Sequence, residues 1–242
     1  MKNCNSKVAV ITGGNSGIGY ATAKELKKRG IQIVITGRRK DAVEKVTSEL
    51  DVIGMVADQS DLEDINNLAS AANKQFGKID MLLINAGITK IASIESTSEN
   101  MFDEVMNVNF KGAFFTLSMF IPFLNDGASV VFLSSTSATI SPPNASVYAA
   151  SKAALNALMK IAALELAPRK IRVNAVSPGP IATEIMDKIG LDKDSEGQMI
   201  NGIPLARFGK PDEVAKLITY LLSDEALYIT GSEYLIDGGQ SI

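Results

Sequence analysis

Short apolar runs rich in β-branched residues alternate with longer amphipathic segments along the chain, and this alternation limits the folds open to it. Runs such as Val-Ala-Val-Ile and Met-Leu-Leu-Ile are typical of strands buried on both faces of a parallel sheet. The pattern predicts strands at residues 7–12, 32–36, 52–57, 80–84, 129–135, 171–177 and 232–236, and helices at 17–29, 61–76, 101–124, 147–167 and 211–223. We therefore expect an α/β fold, a doubly wound, mostly parallel seven-stranded sheet with helices on both faces.

No linker rich in Pro, Gly or Ser divides the 242 residues, so residues 1–242 are expected to form one domain. One segment departs from the alternation. After Pro178-Gly179-Pro180, residues 182–210 show only weak periodicity. An irregular segment of this length in a compact domain is usually functional, and we assign it to substrate binding.

The composition excludes several kinds of chemistry. The chain has no histidine and a single cysteine, Cys4, which excludes Ser-His-Asp triads and sites with several His or Cys metal ligands. We therefore predict no bound metal. The formal net charge of −3 argues against nucleic acid as a partner, because no excess of Lys and Arg is present to neutralise phosphates.

No membrane or export signal is evident in the sequence. The longest apolar stretch, residues 113–124, is interrupted by polar residues and a proline and is shorter than the roughly 20 residues that span a bilayer. The first residues contain no apolar run of the kind found in secretory signals. The expected location is the cytoplasm, with no membrane partner.

A glycine-rich turn follows the first predicted strand and opens the first predicted helix. Glycines there let the backbone approach a pyrophosphate, whose charge is stabilised by the N–H groups at the helix N-terminus. The alternative is a tight strand-to-helix turn without a ligand. The position of the turn favours a dinucleotide-binding, Rossmann-type fold, and the candidate residues are Gly13, Asn15, Ser16, Gly17, Ile18 and Gly19.

The end of the second strand carries three successive cations, Arg38, Arg39 and Lys40. An NAD site usually has a carboxylate near this point, which accepts a hydrogen bond from the ribose 2′-hydroxyl. Arginine instead suits a 2′-phosphate, so the sequence favours NADP(H). NAD(H) remains the alternative, because Asp41 is close and the turn itself has no basic residue. The cations could also form an ordinary solvated charge run.

Tyr148 and Lys152 are four residues apart on a predicted helix and so share one face of it. A nearby ammonium favours the phenolate form, so we expect Lys152 to lower the pKa of Tyr148. The predicted fifth strand ends in Ser134-Ser135, at the sheet edge where open α/β sheets bind ligands. Either serine hydroxyl could face the phenol.

These motifs, in this order, resemble the compact branch of the short-chain dehydrogenase/reductase family over essentially the whole chain. The resemblance implies that Tyr148 is the acid/base, that Lys152 lowers its pKa and binds the nicotinamide ribose, and that Ser135 binds the reacting oxygen. It implies that Asn109 holds a water in a proton relay. It also implies cofactor contacts from Asp58, Asn85, Ala86, Gly87, Pro178, Gly179, Ile181 and Thr183. Asp58 could instead cap the following helix, and Asn109 could merely bridge backbone groups.

The expected function is hydride transfer between NADP(H) and the carbonyl or alcohol carbon of a small organic substrate. The alternatives are an NAD-dependent alcohol dehydrogenase of the same family and a non-catalytic nucleotide-binding regulator. Substrate identity is expected to depend on residues 136–145 and 182–210, where Met186, Ile189, Leu191, Met199 and Ile203 could form an apolar lid or pack on the body of the protein. The apolar helices at 101–124 and 149–167 favour a homotetramer, or a dimer, over a monomer.

Overall fold

The computed structural model describes residues 7–140, 142–184 and 193–242, and its strands form one parallel sheet. The strands are β1 (Val8–Ile11), β2 (Gln32–Gly37), β3 (Ile53–Val56), β4 (Ile79–Ile84), β5 (Leu124–Leu133), β6 (Arg172–Pro178) and β7 (Glu233–Ile236). The order across the sheet is β3-β2-β1-β4-β5-β6-β7. Together with the helices on both faces, this confirms the predicted Rossmann-type α/β fold.

Helices connect the strands. They are α1 (Gly17–Lys28), α2 (Lys40–Leu50), α3 (Leu62–Phe76), α4 (Glu99–Met106), α5 (Gly112–Phe120), α6 (Ser137–Ile140), α7 (Ser146–Leu166), α8 (Lys193–Asn201) and α9 (Pro211–Leu222). A π-helical turn, Asn107–Lys111, joins α4 to α5. Among the described residues, no helix is both long enough and apolar enough to cross a bilayer.

The two faces of the sheet are covered by different helices. In β1, Val8 and Val10 face a core that includes side chains of α3, α5 and α7. Ala9 and Ile11 face the opposite core, formed with α1, α2 and α9. This alternation follows from the two-residue period of a strand and explains why the whole strand is apolar.

The structure differs from the predicted elements at several places. The single helix expected at 101–124 is divided into α4, the π turn and α5, and Leu124 belongs to β5. Helix α2, whose bounds were not predicted, begins at Lys40, within the charge run that is expected at the start of a helix. Helix α8 lies inside the segment expected to be irregular, where residues 185–192 fall outside the described part of the chain.

The order of the strands determines where along the edge of the sheet a ligand can bind. The chain leaves β1 toward β2 on one side, whereas β4 adds on the other side, so the loops after β1 and β4 diverge at the carboxyl edge of the sheet. Open α/β sheets bind ligands in the crevice at such a switch point. The glycine turn follows β1, and Asn85-Ala86-Gly87 follows β4, so both predicted motifs meet there.

Candidate active site

The glycine turn is held by the loop after β4. The Asn85 side-chain amide donates to the carbonyls of Thr12 and Gly13 at 2.9 and 3.0 Å, and the Thr12 hydroxyl accepts from the backbone N–H of Asn85 and Ala86. Gly13 has φ +63°, and a Cβ there would lie 2.9 Å from the Asn85 side chain. The turn therefore requires glycine at position 13, and Asn85 stabilises it.

The start of α1 suits an anionic ligand. Ser16 is the N-cap, and its side chain makes no capping hydrogen bond to the helix. Gly17, with φ +52°, faces Thr183 of the segment after β6. A Cβ at Gly19 would lie 2.3 Å from the Gly13 carbonyl, so this glycine allows close packing inside the turn and does not line the groove.

Both arginines after β2 line a groove of about 480 Å³ that runs past the glycine turn. Each is more than half exposed, and each faces a carboxylate: Arg38 lies 4.0 Å from Asp58, and Arg39 lies 3.7 Å from Glu184. Exposed pairs of this kind contribute little to stability. The guanidinium groups are therefore available to an anion in the groove.

Gly37 occupies the place where an NAD-binding carboxylate is expected. A Cβ at Gly37 would lie 2.4 Å from the Asn15 side-chain oxygen, so the Asn15 side chain occupies the space that a larger residue would need. In this arrangement, a side chain at position 37 fits only if the Asn15 side chain turns away.

The groove brings together most of the predicted cofactor residues. Those that line it are Gly13, Asn15, Ser16, Gly17, Ile18, Arg38, Arg39, Asn85, Ala86, Gly87 and Thr183. Asp58 does not line it, although its neighbours Ala57 and Gln59 do. The carboxylate of Asp58 accepts from Ser60 in the turn before α3, whereas Asp61 caps that helix.

An apolar cavity of about 320 Å³ adjoins the groove and contains Ser135, Tyr148 and Lys152. Its wall also includes Pro178, the last residue of β6, and Gly179 and Ile181 just after it. Ser135 and Thr89 line this cavity with Tyr148, and both hydroxyls favour the ionised form of its phenol. The Lys152 ammonium lies 5.7 Å from the centre of the Tyr148 ring and donates to the Leu133 carbonyl at 2.8 Å.

Burial has the largest effect on the pKa values of Tyr148 and Lys152. It raises the pKa of Tyr148, while the Ser135 and Thr89 hydroxyls act in the opposite direction. Burial also lowers the pKa of Lys152 to about 8. The net direction for Tyr148 is upward, because the desolvation of a phenolate outweighs the favourable contacts. The lowering effect expected of Lys152 remains a prediction.

The two serines after β5 have different roles. The Ser134 hydroxyl donates to the Lys152 carbonyl at 3.2 Å and is buried in this packing. The Ser135 hydroxyl accepts from the Ser137 backbone N–H at 3.1 Å and reaches the phenol. Ser135, and not Ser134, is thus the serine that faces Tyr148.

Asn109 is 1% exposed and lies behind the site, in the π turn. Its side-chain oxygen accepts from the Ile88 N–H at 2.8 Å, and its amide donates to the Ile88 carbonyl at 2.9 Å and to the Ser151 hydroxyl at 3.1 Å. Asn109 therefore bridges backbone groups, one of the two roles considered for it. The relay role remains a prediction.

Of the expected apolar lid, Met199 lines the cavity, whereas Ile203 is buried against Gly238. Met186, Ile189 and Leu191 lie outside the described residues. The cavity also includes Thr89, Lys90 and Gln240, which the sequence analysis did not identify. No spacing signal links Gln240 to the site, because the chain brings it there from beyond β7.

The geometry defines a protein that can bind a dinucleotide beside a hydroxyl-rich apolar cavity. The family model described as "Enoyl-(Acyl carrier protein) reductase" matches residues 13–241. The 3-oxoacyl-(acyl-carrier-protein) reductase of Thermotoga maritima is 38% identical over 240 residues, covering 96% of this chain and 97% of the relative. The NADP-dependent (R)-specific alcohol dehydrogenase of Lentilactobacillus kefiri is 35% identical, with 96% of each chain covered.

A solved short-chain dehydrogenase/reductase from Serratia marcescens superposes with a TM-score of 0.92 at 33% identity, covering 98% of both chains. The chain belongs to the short-chain dehydrogenase/reductase family of oxidoreductases.

Proposed function

We propose that the protein transfers a hydride between NADP(H) and the carbonyl or alcohol carbon of a small apolar substrate. The observation that carries this proposal is the meeting of Tyr148, Ser135 and Lys152 in a cavity that adjoins the groove. Groove and cavity share a wall, made of Ile18, Asn85, Gly87, Ile88, Leu133 and Thr183. Because the groove and the cavity are adjacent along these residues, a dinucleotide in the groove would lie next to a substrate in the cavity.

The residues present fit such a cofactor. A pyrophosphate would be held by the backbone at residues 13–19, where the glycines admit close approach and the Ser16 hydroxyl is not used by its own helix. Arg38 and Arg39 would hold the 2′-phosphate, and Lys152, Tyr148, Asn85, Pro178, Gly179, Ile181 and Thr183 would hold the nicotinamide half. When bound, NADPH supplies the hydride that this chemistry needs.

The chain's own residues handle the proton. In reduction, the Tyr148 phenol gives its proton to the substrate oxygen as the carbonyl carbon receives the hydride, and the Ser135 hydroxyl donates to the same oxygen. Lys152 is charged below about pH 8 and favours the phenolate that remains. In alcohol oxidation, the phenolate takes the proton back.

The cofactor preference is tested by fluorescence titration of the protein with NADPH and with NADH. The chain has no tryptophan, so little native emission overlaps the signal of the reduced nicotinamide. We expect Arg38→Ala to weaken NADPH binding by about tenfold or more, the loss of a charged hydrogen bond, and to leave NADH binding unchanged. Lys40→Ala is the control, because Lys40 pairs with Glu44 on α2 and does not line the groove.

NAD(H) is the second candidate cofactor, and one observation favours it. Asp58 and Glu184 face Arg38 and Arg39, so the positive charge at the 2′ position is partly compensated. Tighter binding of NADH than NADPH by the unmodified protein would select this alternative and replace the first proposal.

For the substrate, we propose an uncharged, apolar carbonyl compound. The cavity is lined mainly by apolar side chains, among them Ile88, Ile91, Ile140 and Met199. Its one further cation, among the described residues, is Lys90, which pairs with Glu104. Consumption of NADPH with cyclohexanone but not with pyruvate is the expected result, and the reverse would contradict the proposal.

We also propose that the protein is a cytoplasmic homotetramer formed by one domain, with residues 182–210 completing the substrate site. The assembly is supported by the exposed apolar side chains Phe114, Ile161 and Leu164 on helices α5 and α7.

The catalytic proposal itself is tested by Tyr148→Phe. Loss of turnover with cofactor binding retained supports it, whereas unchanged turnover would favour a different reaction or a non-catalytic regulator.

A further inference from the structure

We propose that Gln240 is a specificity-determining residue, whose side-chain amide donates a hydrogen bond to a second, uncharged oxygen of the carbonyl substrate. This rests on the proposed function and deepens it, because it adds one polar group to an otherwise apolar substrate. Gln240 lies beyond β7 and lines the cavity that contains Ser135 and Tyr148. It does not line the cofactor groove.

The turn that carries Gln240 is held by the carboxylate of Asp237. This carboxylate accepts from the backbone N–H groups of Gly239 and Ser241 at 3.0 and 2.9 Å, and from the Ser241 hydroxyl. The backbone N–H of Gln240 itself donates to the Asp237 carbonyl at 3.3 Å. Because these contacts fix the backbone of the turn, the Gln240 side chain starts from a defined position at the cavity wall.

The same turn packs against two other segments of the site. A Cβ at Gly179 would lie 2.8 Å from the Cβ of Asp237 and 3.1 Å from the side-chain oxygen of Gln240. Glycine at position 179 therefore leaves room for the Gln240 amide. On another side of the turn, the Leu205 N–H donates to the Gly238 carbonyl at 3.1 Å. The turn thus joins the segment after β6 to the residues after α8, which belong to the proposed substrate segment.

One hydrogen bond orients the Gln240 amide. The Thr136 hydroxyl donates to the side-chain oxygen of Gln240 at 3.4 Å and to the Pro178 carbonyl at 3.3 Å. The hydroxyl has a single proton, which the two oxygens share, so the amide is oriented but only weakly held. Its nitrogen carries two further donors, and these have no hydrogen-bond partner among the described residues.

These two donors lie at the wall of a cavity lined mainly by apolar side chains. When an apolar substrate displaces water from such a wall, an amide donor without a partner opposes binding, whereas a substrate oxygen that accepts from it restores the hydrogen bond. The amide is neutral, and the Lys90 ammonium at the cavity is paired with Glu104. An uncharged acceptor therefore suits this wall better than an anion.

The sequence position of Thr136 indicates where on the substrate the second oxygen lies. Thr136 directly follows Ser135, which is expected to bind the reacting oxygen, and consecutive Cα atoms are only about 3.8 Å apart. Gln240, which accepts from Thr136, is therefore close to the reacting group. We expect the second oxygen two or three bonds from the carbonyl carbon.

The test compares ketones of one ring size that differ in a single ring atom. Cyclohexanone has only the reacting oxygen, whereas tetrahydropyran-3-one and tetrahydropyran-4-one add an ether oxygen two or three bonds from the carbonyl carbon. The measured quantity is the ratio of kcat/KM for each pyranone to that for cyclohexanone, with NADPH as the reductant. Because the electronic effect of the ether oxygen is the same for every variant, a change in this ratio reports the protein side chain.

We expect Gln240→Met, which keeps the length of the side chain and removes its amide, to lower this ratio about fivefold for at least one pyranone. Gln240→Glu keeps the shape and replaces the donor nitrogen by an oxygen, so it should lower the ratio as well. Gln75→Met is the matched control, because Gln75 is an exposed residue of α3 that does not line the cavity. It should leave the ratio unchanged.

An unchanged ratio for both pyranones in Gln240→Met overturns the assignment of Gln240 while the proposed function stands. A higher ratio also overturns it, because the amide would then present its oxygen to the substrate. So does an equal loss for all three ketones together with weaker NADPH binding by fluorescence titration, since Gln240 would then contact the cofactor. If the unmodified protein reduces none of the three ketones with NADPH or NADH, the proposed function fails together with this assignment.

Discussion

At the scale of single residues, burial determines the chemistry of the site. Lys152 is 4% exposed, and its pKa is lowered to about 8. Its charge is therefore only partly compensated by the Leu133 carbonyl that accepts from it. The same burial raises the pKa of Tyr148. A buried ammonium beside a half-buried phenol is a costly arrangement, which a protein retains where function needs it.

The lowered pKa of the buried Lys152 predicts that replacing this residue changes the free energy of unfolding. The folded protein holds the Lys152 proton less tightly than the unfolded chain, so this group's contribution to the free energy of unfolding rises with pH between about 8 and 10.5 and is least favourable below that window. We expect Lys152→Met to raise the free energy of unfolding at pH 7 by about 1–2 kcal/mol, after the loss of one hydrogen bond, while abolishing turnover. Urea denaturation should show a smaller gain at pH 10. A variant that is equally destabilised at both pH values would contradict the argument.

Sequence reasoning located Tyr148, Lys152 and Ser135 because their spacing and strand position carry a signal. It could not find Thr89 or Gln240, which reach the cavity from distant parts of the chain and have no periodicity of their own. It also did not predict the burial that raises the pKa of Tyr148, because the extent of desolvation depends on packing that no local pattern encodes.

At the scale of elements, α5 packs unusually close to the loop after β3. A Cβ at Gly112 would lie 1.9 Å from the Gln59 carbonyl. The Gln59 amide donates to the Thr116 hydroxyl at 2.7 Å, one turn further along the helix, and Gln59 also lines the groove. The start of α5 is thus part of the support for the cofactor groove.

A pair of glycine variants tests this contact. Gly112→Ala should destabilise the protein by about 2 kcal/mol or more, because either the helix or the Gln59 loop must move, and it should weaken NADPH binding as well. Gly197→Ala is matched, since Gly197 is also helical and a Cβ there meets nothing within 4 Å. That variant should be stabilised by roughly 0.5–1 kcal/mol. Equal melting temperatures for the two variants would contradict the close packing.

The predicted elements differ from the structure where local composition and tertiary packing conflict. The seven strands were recognised because each is rich in apolar residues, but the first residues of β5 include Asn125, Asp126 and Gly127, which suggest a turn. The helix predicted at 101–124 is broken by the π turn, whose Asn109 is turned toward Ile88. Helix periodicity alone does not reveal such a break.

At the scale of the whole molecule, the sheet buries apolar side chains on both faces, yet α7 presents an apolar outer face. Leu164 is 77% exposed and Ile161 is 54% exposed, although both belong to the helix that carries Tyr148. Phe114 of α5 is also exposed. A second copy of the chain that covers this face would hold α7 from both sides.

We expect Leu164→Glu to shift the protein to a smaller assembly, because an ionised carboxylate is costly to bury in an apolar interface. Size-exclusion chromatography with light scattering measures the change. Lys170→Glu, at an exposed position beyond α7, controls for added negative charge and should leave the mass unchanged. If the unmodified protein elutes as a monomer, this result contradicts the proposed homotetramer.

The contact between Gly37 and Asn15 has a consequence for the evolution of this site. A carboxylate at position 37, the residue that binds the ribose of NAD in related folds, would clash with Asn15, whose side-chain oxygen lies 2.4 Å from the required Cβ. The Asn15 side chain must therefore turn away, or be replaced by a smaller one, for such a residue to fit. In the evolution of this sequence, a change at position 37 is thus coupled to the conformation or the identity of residue 15.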